Sequence, residues 1–558
     1  MAATDVNILS DIKTKFNICD SALQDKRVKW KEYFKYFISS KTTTYNVYRQ
    51  SRLLPYAFST VMSILPRIVN QRPRVRYIMR NMPEYFEDAI EGMKLYGGQD
   101  LDVDKLRYDA INALDYTIKY QWNRQKFDTA MNEIILNSLI YGTGIGMVYW
   151  DTEHNAPKLK SIEPFYFIPE AGVSSIDDMN YCFTVSYLPK DTVARLFKQK
   201  IYKSKYKKQV LEQATYYNND ADKNDRFFFM RETRQTVEMI KVIEYYSRDS
   251  IITYIDDFVV RKEKNSLDML PFVAVPNYVI TGDFWGLSEI DQIEQFIKDM
   301  TDFRNNRHVN IELMSNTMWR VDPNKEVNID DLVSAPGQII EAEEGALEPL
   351  RVPPISDNTY KEDAVMMNDI RETSGISDYM RGGTPDRFET ATTVDSLVRS
   401  GNMRITIRTT NLVNYFIKPL GDLLIKYNKL YLKPMNIIVK TDNGFETKYI
   451  SVDFIKTIRD GDFDLLTIPK DIDNLKRTEF MQVLQIALQS PQMAQMFDLK
   501  QLFKELFKTY NISTAGIFKS DAQIQQEQQL QQQQMLMQQM QGRGQVVQNN
   551  LGGMNGNR

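Results

Sequence analysis

Gly286-Leu-Ser-Glu-Ile-Asp-Gln-Ile-Glu-Gln-Phe-Ile-Lys-Asp-Met300 opens the stretch on which the fold turns, residues 286–432. Ser288-Glu289-Ile290-Asp291 is a capping-box pattern, in which the Ser and Asp oxygens can each take a free amide at a helix start. Apolar residues at Leu287, Ile290, Ile293, Ile297, Met300 and Phe303, then Ile311, Met314 and Met318, recur in steps of three and four and fall on one stripe. A helix over 287–316 would be about 45 Å long at 1.5 Å per residue. A second helix is expected over 357–374, with Gly375 as its left-handed cap. The loop Gly-Ile-Ser-Asp-Tyr-Met-Arg-Gly-Gly-Thr-Pro (375–385) then leads to a third helix running to about Leu432.

The 558 residues are enough for two or more domains. The chain is 42% hydrophobic and 26% charged, an ordinary composition for a folded soluble protein. No apolar run approaches the roughly 20 residues that span a bilayer. The start, Met-Ala-Ala-Thr-Asp-Val-Asn, lacks the basic and apolar regions of a signal peptide. Cys19 and Cys182 stand far apart, so no disulfide framework is indicated, and a reducing compartment fits best. Seventy basic residues balance 73 acidic ones, for a net charge of −3. Tight duplex binders carry a basic face, because counterion release drives their affinity. Any hold on nucleic acid by this chain is therefore expected to be local or loose.

Along the chain, 6–39 reads as an amphipathic helix ending in Trp30, Tyr33, Phe34, Tyr36 and Phe37, an aromatic cluster best read as core. A helical pattern over 52–72 is punctuated by Pro55 and Pro66, and 102–141 is mostly helical. Gly142-Thr-Gly-Ile-Gly146 follows a helix and precedes the strand-like Met147–Trp150. A dinucleotide turn has the opposite order, strand then helix, so these glycines read as a helix cap and turn. Strands are expected over 162–169 and 181–188, a short helix over 190–200, and a hairpin from 237–246 with 251–260. The basic Lys203–Lys208 cluster reads as a solvated face sooner than a phosphate contact. Asp442-Asn443-Gly444 predicts a hairpin between 436–440 and 446–452. Asp460-Gly-Asp-Phe-Asp464 lacks the Gly and Glu of a calcium loop, having Leu465 and Asp471 instead, and reads as a turn into a strand over 463–468. Helix is expected over 475–510, broken at Pro491. Gln523–Gln541 reads as a polar coiled helix or a disordered tail.

Catalytic chemistry is hard to find. There is no P-loop, no Gly-x-Ser-x-Gly, no Cys/His zinc spacing, and neither His154 nor His308 has a metal-spaced partner. No catalytic residue, metal or cofactor is therefore assigned.

Taken together, these segments resemble the portal proteins of tailed bacteriophages. The Trp30–Phe37 cluster, the Tyr141–Trp150 junction and 271–322 carry the resemblance, with Ser374-Gly-Ile-Ser377, Thr390-Ala-Thr-Thr393 and Gly461-Asp-Phe-Asp464, over roughly residues 20–515. The resemblance implies a predominantly helical α+β portal fold, with wing, stem, clip, tunnel loop and crown, assembling as a dodecameric ring. By position, the wing is 1–285 with return strands in 433–470. The stem helices are 286–316 and 356–375, the clip is 317–355, and the tunnel loop is 376–389. A long helix kinked near Pro419 covers 390–432, the crown 471–515, and a Gln-rich barrel or disordered tail 516–558. The implied role is a non-enzymatic conduit at one capsid vertex. The implied partners are the terminase large subunit, head–tail adaptor or tail proteins, major capsid protein, scaffold protein and double-stranded DNA, with no membrane. A shorter head–tail adaptor or a DNA-processing enzyme are the alternatives, and the length and helix series disfavour the first.

Charge suits a conduit. Residues 286–316 carry six acids against three bases, and 356–375 five against two. Lining a channel, such acids would repel phosphate and keep DNA from sticking; otherwise they simply solvate outer helix faces. Candidate lining acids are Glu289, Glu294, Asp299, Asp302, Glu362, Asp363, Asp369 and Glu372. Tyr379, Met380, Arg381, Gly382, Gly383 and Arg387 are the candidate DNA-facing loop residues. Trp319, Arg320, Asp330, Asp331, Glu343 and Glu344 are the candidate docking residues of the clip.

Overall fold

The computed structural model describes residues 3–46, 49–71, 74–79, 103–203, 207–213, 216–217, 239–315, 318–327, 339, 342–354, 356, 358–376, 403–441, 444–450, 455 and 463–468. Residues 377–402 and 469–558 lie outside this set, and with them the expected tunnel loop after Ile376, the first part of the long helix, the crown and the Gln-rich end. The chain divides into two compact units, one of Met1–Lys433 with Val452–Lys470, the other of Pro434–Ser451 with Asp471–Arg558.

The first unit is built on α1 (Ala3–Phe37), a single 35-residue helix of about 50 Å. Its apolar residues Leu9, Ile12, Phe16, Cys19, Leu23 and Trp30 are buried. Phe16 packs edge-on against Phe183 at 5.4 Å, and Trp30 against Phe165 and Trp285 at 5.5 and 4.6 Å. The aromatic cluster expected as core thus centres on Trp30 and Tyr33, which are 2% and 6% exposed. Lys26 reaches Asp283 at 2.6 Å, and Tyr33 hydrogen-bonds Asp291, so α1 braces the loop that leads into the stretch from 286 onward.

A hairpin of β1 (Lys41–Asn46) and β2 (Arg49–Arg52) follows, then α2 (Tyr56–Gln71), which tolerates Pro66 inside it. β3 (Arg74–Met79) comes next. The helical region expected over 102–141 is two helices, α3 (Val103–Arg124) and α4 (Phe127–Tyr141), parted at Lys126, whose φ of 53° is left-handed. Gly142, with φ of 93°, ends α4 by donating its N–H to the Ser138 carbonyl. β4 (Thr143–Asp151) then pairs with β5 (Ala156–Ile162). The glycine run is there for close packing: a Cβ on Gly142 would lie 2.0 Å from the Gly286 carbonyl oxygen, and one on Gly144 2.0 Å from that of Ile134. The expected strand over 162–169 is interrupted by a 3-10 turn, Pro164–Tyr166, before β6 (Phe167–Pro169).

β7 (Tyr181–Pro189) leads to α5 (Lys190–Lys198), α6 (Lys207–Gln213) and β8 (Tyr216–Tyr217). The hairpin expected from 237–246 and 251–260 is a three-strand meander instead. It consists of β9 (Met239–Ser247), β10 (Ser250–Ile255) and β11 (Phe258–Lys264), because Asp256 takes φ of 46° and turns the chain inside the second expected strand. These strands order as β11-β10-β9-β7-β6, with β8 added on β9. β12 (Phe272–Pro276) forms the edge of a second sheet, β12-β4-β5.

α7 (Glu294–Ser315), the short strands β13 (Met318–Val321) and β14 (Leu347–Leu350), and α8 (Asn358–Ser374) come next. Residues 403–431 form one helical rod, α9. Its disturbance before Pro419 is a π-helical turn, Leu412–Ile417, rather than a simple kink. Pro419 has no N–H, and the wider turn lets Lys418 N–H bond to the Val413 carbonyl. A further strand, Phe463–Ile468, pairs antiparallel with β3, a partner for which the sequence offers no local sign. In the second unit, β15 (Met435–Thr441) and β16 (Gly444–Ile450) form the expected hairpin.

Candidate functional site

The element most unlike an ordinary core is the hairpin α7–β13–β14–α8. Its first helix starts later than the sequence suggests. Ser288 is buried, and its hydroxyl donates to the Ile140 carbonyl at 2.7 Å while accepting the Ile290 N–H at 3.0 Å. Glu289 N–H goes to the Leu139 carbonyl. The capping pattern therefore anchors a turn against the end of α4, and regular helix begins only at Glu294.

Beyond that point the apolar stripe splits. Ile290, Ile293, Ile297 and Met300 are buried, whereas Ile311 and Met314 are 51% and 48% exposed. α7 thus roots its first half in the body of the unit and presents its second half uncovered. α8 runs back alongside it: Arg307 pairs with Asp363 and lies over the Tyr360 ring at 5.1 Å, and Asn310 Nδ2 donates to the Pro353 carbonyl at 3.3 Å. Tyr360 and Val365 on α8 are also more than half exposed. Gly375 has φ of 69°, the left-handed cap expected of it.

The eight candidate lining acids separate into four kinds. Glu289 is not on a wall at all: it is 1% exposed and meets Arg408 of α9 at 2.6 Å, with Asn277 Nδ2 at 3.5 Å. A group already sealed in the single chain cannot face a channel, and this corrects its assignment. Burial pushes its carboxyl above the ordinary range, against the pull of Arg408. Glu294 is half-buried toward α1, where burial and then the Asp291 and Glu32 carboxylates raise its pKa. Asp363 is spent on Arg307. Asp299, which accepts from Gln295 at 2.9 Å, is partly open, as are Asp302 and Asp369. Glu362 and Glu372 are exposed. These last five are the members of the set that solvent reaches most freely.

At the far end, β13 pairs with β14 so that Trp319 faces Pro349 and Arg320 faces Glu348. Trp319 is 43% exposed, and Arg320 with Glu348 forms an open ion pair at 3.6 Å. Glu343 and Glu344 are exposed in the turn before β14, where Lys325 Nζ holds the Glu344 carbonyl at 2.8 Å. Asp330 and Asp331 lie outside the described residues, as do Tyr379, Met380, Arg381, Gly382, Gly383 and Arg387.

Sequence reasoning missed Arg404 and Arg408. Arg404 Nη1 donates to the Glu372 and Thr373 carbonyls at 2.7 and 2.6 Å, satisfying the end of α8. Arg408 is 2% exposed and also bonds the Tyr278 hydroxyl. One signal was available, since Ile405, Arg408 and Leu412 share a helix stripe and all three are buried. A cation on an apolar stripe calls for a buried anion.

His154 has neighbours that its spacing did not suggest. Asp151, Glu153 and His154 bring donor atoms within 4.8 Å of one another in the turn between β4 and β5. Burial acts to raise the Asp151 pKa, but bonds from His154 and Gln125 outweigh it and hold the carboxyl below its ordinary value. Asp151 also accepts the Glu153 amide at 3.0 Å, so the group reads as a side-chain-capped turn, and no metal is assigned to it. Among the described residues no helix is long and apolar enough to cross a membrane.

A family model described as the phage SU10 portal protein matches residues 152–548. No curated protein matches the chain.

Proposed function

This chain belongs to the phage portal protein family, and from that membership we propose how its parts form and operate the channel. As a portal protein it provides the passage through which phage DNA is packaged and ejected, and it connects head to tail. Its mixed helix and strand content is that of an α+β fold.

In the proposed assembly, twelve copies close into a ring, with α7 and α8 inside 286–316 and 356–375 as the wall. Residues 317–355 form the end that docks the terminase large subunit and later adaptor or tail proteins. Residues 1–285 and 433–470 form the wing toward major capsid and scaffold proteins. The loop 376–389 approaches DNA, 390–432 supports it, and 471–515 makes the crown, with 516–558 as barrel or tail. The protein acts at one vertex of the capsid, as a structural conduit and not as an enzyme.

One observation carries the reading: α7 and α8 pack together through Arg307 and Asp363 yet leave Ile311, Met314, Tyr360 and Val365 uncovered. An apolar face on a paired helical hairpin needs another surface to cover it, and a second copy supplies one around a ring. The five open acids then repeat around the passage as a field that resists phosphate adhesion. Negative-stain images of the purified full-length chain test the assembly. Closed rings with a central hole are expected; a monomer that persists at high concentration would overturn it.

A further inference from the structure

α9 touches the foot of the α7–α8 hairpin at two points. Arg404 reaches the last carbonyls of α8, at Glu372 and Thr373. One turn further on, Arg408 reaches Glu289 at 2.6 Å in the turn that leads into α7, and Asn411 Nδ2 donates to the Asn277 carbonyl at 3.2 Å. Arginines four apart share one face of a helix, so a single stiff element grips the beginning of one hairpin helix and the end of the other.

The two grips differ in kind. Arg408 and Glu289 are 2% and 1% exposed, out of reach of water and salt. Arg404 is exposed, and its bonds compete with solvent. Its seat is nonetheless shaped: a Cβ on Gly375 would lie 2.8 Å from Arg404 Cδ, so glycine there leaves room for the arginine as well as taking the left-handed cap. Between the two helices themselves, Arg307 pairs with Asp363, about three turns from this foot.

We propose that Arg404 and Arg408 are positioning residues of a two-point clamp: Arg408 pins α9 to the foot of α7, and Arg404 holds the foot of α8 to that same helix. Through these two grips α9 takes part in setting the separation of the two helices at the foot. This rests on the reading of α7 and α8 as the channel wall. It gives that wall a joint with one fixed pin and one that solvent can release.

Spin labels on Lys298→Cys and Asn368→Cys report the separation in assembled full-length protein, with labelled chains diluted among unlabelled ones; Cys19 and Cys182 are buried and stay unlabelled. The expected series is a narrow distance distribution with Arg404, an intermediate one with Arg404→Lys, and one about twice as wide with Arg404→Gln, with melting temperature and ring formation unchanged. If Arg404→Gln does not assemble, Arg404→Lys alone must still broaden the distribution. An unchanged width, with faster amide hydrogen exchange confined to 370–376, would reduce Arg404 to a helix cap and overturn the clamp. Failure of the channel-wall reading shows elsewhere, as DNA retention that does not respond to charge on the open acids.

Discussion

Glu289 and Arg408 meet at 2.6 Å in the interior, 119 positions apart in the chain, with side chains 1% and 2% exposed. Removing one partner strands a charge without water, which costs about 3–5 kcal/mol. Arg408→Ala is therefore expected to lower the denaturation free energy by about that much. The double change Glu289→Gln with Arg408→Met removes both charges and should cost far less. Equilibrium denaturation of the three chains checks the contrast, and equal losses would count against a buried pair.

Gly142→Ala is expected to be among the most damaging small substitutions. It forces a side chain into φ of 93° and sets a Cβ 2.0 Å from the Gly286 carbonyl oxygen. Neither backbone can yield without shifting the end of α4 or the lead-in to α7. A loss of about 3 kcal/mol or more is expected, read as lowered melting temperature and soluble yield.

Glu294 gives the pH dependence. Its pKa is raised in the fold, so the folded state takes up a proton that the unfolded chain has already lost. The stability it offers is full below its unfolded value and disappears as pH rises through the raised folded value. Glu294→Gln mimics the protonated form. It should raise the melting temperature at pH 7 by about 1–3 °C and make no difference at a pH below the ordinary 4.5.

In the proposed channel, charge on the open acids governs how readily DNA slides. Asp299→Lys with Asp302→Lys, or Glu362→Lys with Glu372→Lys, should make the ring retain duplex DNA at low salt and release it as salt rises. Filter binding across a salt series measures this. Unchanged retention would place those acids on an outer face.

The uncovered apolar face should matter to assembly and not to folding. Ile311→Asp with Met314→Asp is expected to leave the circular dichroism and melting of the single chain intact while shifting native mass spectra from rings toward monomers. Those side chains are about half exposed in the single chain, so little burial is lost on folding.

The parts of this fold that the sequence disclosed are the local ones. Asp442-Asn443-Gly444 marks its hairpin, Gly142 and Gly375 mark their helix ends, and 181–188 and 463–468 form the strands expected of them. What it withheld depends on partners far along the chain. The start of α7 moved to Glu294 because the Ser288 hydroxyl is drawn to the Ile140 carbonyl. Glu289 looked like any helix acid until Arg408 was seen beside it, and Asp363 until Arg307 was. Of the candidate lining set, the sequence could supply the sign of the charge but not which carboxylates were already engaged.

The Tyr427 hydroxyl bonds the Val148 carbonyl at 2.7 Å, and Asn428 exchanges amide hydrogen bonds with Gln121 at 2.6 and 2.9 Å. The middle strand of the sheet β12-β4-β5 and the helix α3, both from the first third of the chain, are thus finished by residues made 279 and 307 positions later. At ordinary rates of synthesis the ribosome needs on the order of tens of seconds to reach that point. During that interval the nascent N-terminal part has its hydrophobic sheet without its last cover. A subunit that completes itself so late is poorly suited to joining a ring while still being translated, and closure of the ring is left to finished, released chains.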